Sequence, residues 1–154
     1  MDQAVIVSTA RTPIAKAYKG SYNDTDAPTL ASYAIKECIK RSGIDPHEVE
    51  DVIMGAAVQQ GTQGYNLGRL SAMASQLPVN IPGMTIDRQC ASGLMAIATG
   101  AKQIACNEMD IVVGGGIESI SLVQNKFSNK YKSQDRSLLK YKPVPINDNN
   151  KNNS

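Results

Sequence analysis

Met84-Thr85-Ile86-Asp87-Arg88-Gln89-Cys90-Ala91-Ser92-Gly93-Leu94-Met95-Ala96-Ile97 is the stretch that decides the fold. Pro82-Gly83 punctuate its start, and Met84 to Asp87 read as a short strand. From Ala91 to about Asn107 the period changes. Ala91, Leu94, Met95, Ala96, Ile97, Ala98, Ala101, Ile104 and Ala105 surround almost the whole circumference of a helix, which predicts a helix buried on every side. Asp110-Ile111-Val112-Val113 then reads as another strand, with Gly114-Gly115-Gly116 at its end and Glu118-Ser119 just beyond. Two strands joined by one apolar helix form the repeating unit of a parallel sheet.

Toward the amino terminus the same alternation continues. Ala4-Val5-Ile6-Val7-Ser8-Thr9, closed by Arg11-Thr12-Pro13, predicts a first strand apolar on both faces and therefore buried. Asp26, Pro28 and Thr29 supply helix-start signals, and Leu30, Ala31, Ala34, Ile35, Cys38 and Ile39 make one stripe that stops at Ser42-Gly43. Asp45-Pro46-His47-Glu48 has capping-box spacing and leads into a strand at Val52-Ile53-Met54-Gly55. A helix over Asn66 to Gln76 ends at Leu77-Pro78. The expected fold class is α/β, a mainly parallel sheet with helices on both faces. In such sheets ligands meet the carboxyl ends of the strands. That edge should gather Arg11, the loop from Ala56 to Gly64, Arg88 to Cys90, and the turn from Gly114 to Ser119.

With 154 residues, 42% hydrophobic and 19% charged, the chain suffices for one core of its own. No apolar run approaches the ~20 residues of a membrane span. Met1-Asp2-Gln3 carries no charged leader, so no membrane partner and a cytoplasmic location are expected. The net charge of +2 is uneven: residues 1–122 hold 9 Lys/Arg against 12 Asp/Glu, and residues 123–154 hold 7 against 2. The excess belongs to an Asn/Lys-rich end read as a solvated, partly disordered tail over 126–154. Aromatic residues, 5% of the chain, are too sparse for a nucleic-acid surface.

Cys38, Cys90 and Cys106 are widely spaced, without a CxxC pair and with only His47 to assist, so neither a disulfide framework nor a metal site is expected. Cys38 and Cys106 fall within or at the end of predicted helices and read as packing residues. Cys90 stands at the strand–helix junction, where free N–H groups and the positive helix end favour a thiolate and can hold an oxyanion. It is the one candidate nucleophile, although a free cysteine also serves as simple core filling. His47 precedes a strand's amino end, on the wrong edge to act as its base. Gly114-Gly115-Gly116 matches neither GxGxxG nor Gly-Lys-Ser/Thr, and reads better as a place where backbone packs close to the Cys90 helix. Asp87-Arg88 is either a charge pair beside the nucleophile or an ordinary polar strand end.

Four motifs in order, Val5-Ile6-Val7-Ser8-Thr9-Ala10-Arg11-Thr12-Pro13, Gly61 to Arg69, Asp87-Arg88-Gln89-Cys90-Ala91-Ser92-Gly93-Leu94 and Gly114-Gly115-Gly116-Ile117-Glu118-Ser119-Ile120-Ser121, resemble the amino-terminal domain of thiolases, the acetyl-CoA acyltransferases and acetyltransferases. The likeness runs from Ala4 to about Asn125 and weakly to Lys142. It implies an acyltransferase of fatty acid metabolism. Cys90 would take the acyl group from a 3-ketoacyl-CoA and pass it to a second CoA, or join two acetyl-CoA units in the condensing direction, with its own N–H in an oxyanion hole. Coenzyme A is then a substrate, and no cofactor is implied; which residues here bind it is unknown. The Gly61 to Arg69 segment corresponds to one used at the family's dimer interface, and Gln59 to Asn66 look closer to the degradative members.

The departures are as informative. The family's Gly-His-Pro histidine, Cys-x-Gly-Gly-Gly cysteine and Asn-Glu motif do not occur in this sequence, nor does its CoA-binding insertion, while Ala15 and Met95 stand where many relatives carry Gly and Gln. The resulting expectation is a truncated thiolase amino-terminal domain over 1–125, an incomplete thiolase-like half followed by the tail at 126–154, and inactive as an isolated chain. Its partner would be a second copy in a homo-oligomer or a complementary thiolase half. The alternative is a non-catalytic remnant or module that docks on a thiolase subunit.

Overall fold

A computed structural model describes residues 3–125 of the chain, so the basic segment expected over 126–154 lies outside the described residues. Three parallel strands form the sheet: β1 (Asp51–Gly55) in the centre, β2 (Gly83–Ile86) on one side and β3 (Val112–Gly116) on the other. Ile53 pairs with Met84 in one direction and Gly114 in the other. Being central, β1 is buried along its whole length, as its run of apolar residues requires.

Helices cover both faces. On one, Val52 and Met54 of β1 join Ala31, Ile35 and Ile39 of α1 (Ala27–Ser42) and Ala72 of α2 (Leu67–Ala74) in the main core. On the other, Ile53 reaches Gly100 of α3 (Ser92–Ala105). The helix ends follow local chemistry. Asp26 accepts the Thr29 N–H at 2.8 Å to start α1, Asn66 accepts that of Arg69 at 3.1 Å to start α2, and Asp45 with Glu48 completes a capping box around the turn Pro46–Glu48.

Three expectations change. The segment at 4–9 pairs with no strand, and Val5, Ile6 and Val7 stay 66–74% exposed. Its ties run instead to α1, with the Ser8 hydroxyl donating to the Cys38 carbonyl and Arg41 donating to that of Thr9. β-branched composition makes a strand only where a ladder partner exists, and none is present among the described residues. Second, α3 is not enclosed: Ser92, Ala96 and Gly100 are buried, while Leu94 is 71% exposed, because the sheet covers one side of the helix only. Third, the glycine run lies inside β3 rather than after it. Its role is the close packing expected, since a Cβ at Gly114 would sit 3.1 Å from Cα of Ile97 and one at Gly116 2.9 Å from Cα of Gly93.

Two carboxylates mark the amino edge of β1. Glu50 accepts the N–H groups of Asp110 and Ile111, which hold its carboxyl below the usual range. Asp51 is buried, and desolvation raises its carboxyl, opposed by the hydrogen bond it accepts from the Val52 N–H at 2.7 Å.

Candidate active site

β2 ends at Ile86, and the chain turns through Asp87 to Ala91 into the first residue of α3. Gln89 occupies the left-handed region with φ of 51°, which a side chain other than glycine enters at a cost. The turn is held by short-range hydrogen bonds. Asp87 accepts the Gln89 N–H at 2.7 Å, and the N–H groups of Ala91 and Ser92 donate to the carbonyls of Arg88 and Gln89. The buried Ser92 hydroxyl accepts the Arg88 N–H at 2.8 Å and donates to the Gln89 carbonyl at 2.6 Å. Cys90 is thereby presented at the surface of the junction, exposed. No side chain caps α3; the Ser92 N–H is taken by the Gln89 carbonyl, and the N–H groups of Gly93 and Leu94 follow at the helix end.

Backbone contact fixes where this turn sits on the sheet. A Cβ at Gly55, the last residue of β1, would lie 2.2 Å from the carbonyl carbon of Ser92, and Gly93 faces Gly116 at the end of β3. The first turn of α3 therefore rests directly on the carboxyl ends of β1 and β3.

The loops leaving those strands are joined by a buried polar pair. Gln63, fully buried, donates from Nε2 to the Val58 carbonyl at 2.8 Å and to Glu118 at 2.5 Å, and accepts the Ser119 N–H. Glu118 in turn accepts the Ala57 N–H at 2.8 Å. Of the four places expected at this edge, three are tied together by direct contacts: the loop after β1, the Cys90 turn and the turn after β3. Arg11 makes its own hydrogen bond elsewhere. It is exposed, donates to the Thr12 carbonyl and shares an open groove with Thr9, Pro13 and Arg41. The next residues, Thr12 and Pro13, line a cavity of about 220 Å³ against Gly116 to Ser121.

Of the other cysteines, Cys38 lies in α1 and is half-buried, whereas Cys106, expected to pack, is exposed as the C-cap of α3, beyond the side of that helix that the sheet covers. His47 is exposed in the turn before the amino end of β1, across the sheet from Cys90. Groups of metal-ligating side chains are absent among the described residues. Unforeseen were the Gln63–Glu118 pair, whose members are 55 residues apart, and the bracing of the turn by Ser92 and Asp87.

Fold and site together define an α/β domain that presents a thiol at the strand–helix junction on the carboxyl edge of a parallel sheet. Residues 4–145 match the family model for the thiolase N-terminal domain. The 3-ketoacyl-CoA thiolase of Bacillus subtilis (strain 168) is 40% identical over 123 residues, covering 80% of this chain and 32% of the relative. The acetyl-CoA acetyltransferase of Cupriavidus necator is 40% identical over 121 residues, covering 79% and 30%. A crystal structure of the Bacillus anthracis acetyl-CoA acetyltransferase superposes with a TM-score of 0.74 at 34% identity, over 88% of this chain and 35% of that one. The chain belongs to the thiolase family, through its N-terminal domain. It spans about a third of the length of these relatives.

Proposed function

We propose that this chain supplies the acyl-accepting cysteine of a thiolase. Cys90 Sγ attacks the C3 carbonyl of a 3-ketoacyl-CoA, forming a carbon–sulfur bond. The C2–C3 bond breaks, acetyl-CoA leaves as an enolate that takes up a proton, and the thiol of a second CoA attacks the acyl-cysteine to release the shortened acyl-CoA and restore Cys90. One observation carries this reading: an exposed thiol held immediately before an uncapped helix end at the carboxyl edge of the sheet. Family membership and the names of the relatives, a 3-ketoacyl-CoA thiolase and an acetyl-CoA acetyltransferase, support the substrate class.

The proton transfers need other groups. The one histidine of the sequence, His47, sits at the opposite edge of the sheet. We therefore read the chain as a thiolase piece, its domain over 1–125, that works with acid/base residues supplied by a complementary half or a second thiolase subunit. The exposed side chains of Leu94 and Ile97 on α3 suit such a contact. The absence of a general acid/base group costs about 10²–10⁴ in rate, so thiolysis of acetoacetyl-CoA by this chain alone should stay near background. The test follows the enolate absorbance of acetoacetyl-CoA with CoA, with and without an added thiolase carboxy-terminal half, using Cys90→Ala as control. Turnover that appears on addition and vanishes in Cys90→Ala supports the reading. Turnover that persists in Cys90→Ala removes it, and robust turnover by the chain alone removes the need for a partner.

A further inference from the structure

We infer that Ser92 and Asp87 are positioning residues for acyl transfer, a brace that holds Gln89 left-handed and so aims both the thiol and the N–H of Cys90. The inference rests on the acyl-transfer reading above and assigns to that site two side chains that do not themselves react. The Ser92 hydroxyl bridges the turn, taking the Arg88 N–H and giving its proton to the Gln89 carbonyl, while Asp87 fixes the Gln89 N–H from the other side. Three of these bonds converge on Arg88 and Gln89, the two residues before Cys90, and Gln89 is the one with φ of 51°.

A left-handed Gln costs free energy, so it persists where the surroundings over-determine it. Relaxing Gln89 to negative φ would swing the next peptide, whose N–H belongs to Cys90, and turn the cysteine away from the helix end. Ser92 itself cannot drift, because its backbone lies on Gly55 with no room for a Cβ between them. The brace is thus anchored to the central strand. Simple alkylation needs only an accessible thiolate, whereas acyl transfer also needs a donor aimed at the oxyanion that forms on the carbonyl. The two reactions separate positioning from mere integrity.

The experiment compares, by peptide mapping, the acetylation of Cys90 by acetyl-CoA with its alkylation by iodoacetamide, using Cys106 alkylation as an internal control for folding. In the acetylation step Cys90 Sγ bonds the carbonyl carbon, the bond to CoA sulfur breaks, and the departing CoA thiolate is protonated from solvent. Ser92→Ala should slow acetylation by about 10- to 100-fold, the cost of an error of about 1 Å in a reacting group. Alkylation of Cys106 should hold within about 3-fold, that of Cys90 should fall by clearly less than its acetylation, and Ser92→Thr, which keeps the hydroxyl, should restore acetylation. Asp87→Ala alters an exposed residue and cuts one tie, so it reads the same turn if Ser92→Ala fails to fold. Undiminished acetylation in a folded Ser92→Ala or Asp87→Ala chain, or equal losses in both reactions, overturns the brace. Failure of the unaltered chain to acetylate overturns the acyl-transfer reading and the brace with it.

Discussion

Replacing Gly55 by alanine should displace the Cys90 turn without touching it. The added Cβ would stand 2.2 Å from the carbonyl carbon of Ser92, 2.3 Å from its oxygen and 2.5 Å from the Gly93 nitrogen, all backbone atoms that cannot rotate aside. Carbon atoms rest at about 3.5–4.0 Å, so the start of α3 must retreat by roughly 1.3 Å or more. Overpacking of this kind costs about 1–3 kcal/mol, and a shift beyond about 1 Å in a reacting group costs on the order of 100-fold in rate. The comparison variant lies in the neighbouring strand: a Cβ at Gly115 would meet only the Met54 side chain, at 3.5 Å, an ordinary contact. Urea denaturation should show Gly55→Ala destabilised by about 1–3 kcal/mol and Gly115→Ala within about 0.5 kcal/mol of the unaltered chain. Acetylation of Cys90 should fall in the first and hold in the second. Equal stability and equal acetylation in the two variants would refute the idea that the glycine-lined strand ends set the position of the nucleophile.

Cys90 and Cys106 are both exposed and flank the same helix, one before its N-cap and the other at its C-cap, so accessibility does not separate them. Opposite helix ends of about 0.3–1 kcal/mol each should make iodoacetamide label Cys90 about 3- to 30-fold faster; labelling of Cys106 at an equal or higher rate would deny the helix end any part in activating the thiol. Gln63→Leu removes the partner of Glu118, Ser119 and Val58 in a fully buried position and should cost about 2–4 kcal/mol in a urea melt. Asp51, raised by burial, binds its proton more tightly folded than unfolded, so stability falls as pH climbs from the ordinary carboxylate range through the raised value. Asp51→Asn, which keeps an oxygen for the Val52 N–H, should raise the urea midpoint near neutral pH and give no gain below about pH 3; a gain of equal size at both would place the effect outside the ionisation of Asp51.

Local chemistry was legible in the sequence where one short segment contains both partners. The helix-start signals at Asp26 and Thr29 and the capping-box spacing of Asp45 with Glu48 are read from the sequence alone, and the structure bears out both; the Asn66 cap on the Arg69 N–H carried no separate reading. The strand–cysteine–helix junction was legible for the same reason. Residues 4–9 misled because β-branched composition reports what would fit a sheet, while pairing depends on a neighbour elsewhere in the chain. The roundness of the apolar pattern on α3 likewise reports what could be covered, and the described residues cover one side. Gln63 carried no signal of its own: a glutamine between Thr62 and Gly64 gains meaning only when the fold sets it against Glu118. Ser92 had one, a hydroxyl at the first position of a helix within reach of the turn behind it, a common local bond for serine.

The most direct test of Cys90 as acyl acceptor is mass spectrometry of the folded chain after incubation with acetyl-CoA, with the modified residue located by peptide mapping. A single acetyl group on Cys90, acquired slowly, released by added CoA and absent from Cys90→Ala is the predicted result. A folded chain that gains no acetyl group, or gains it equally on Cys106, would contradict the assignment.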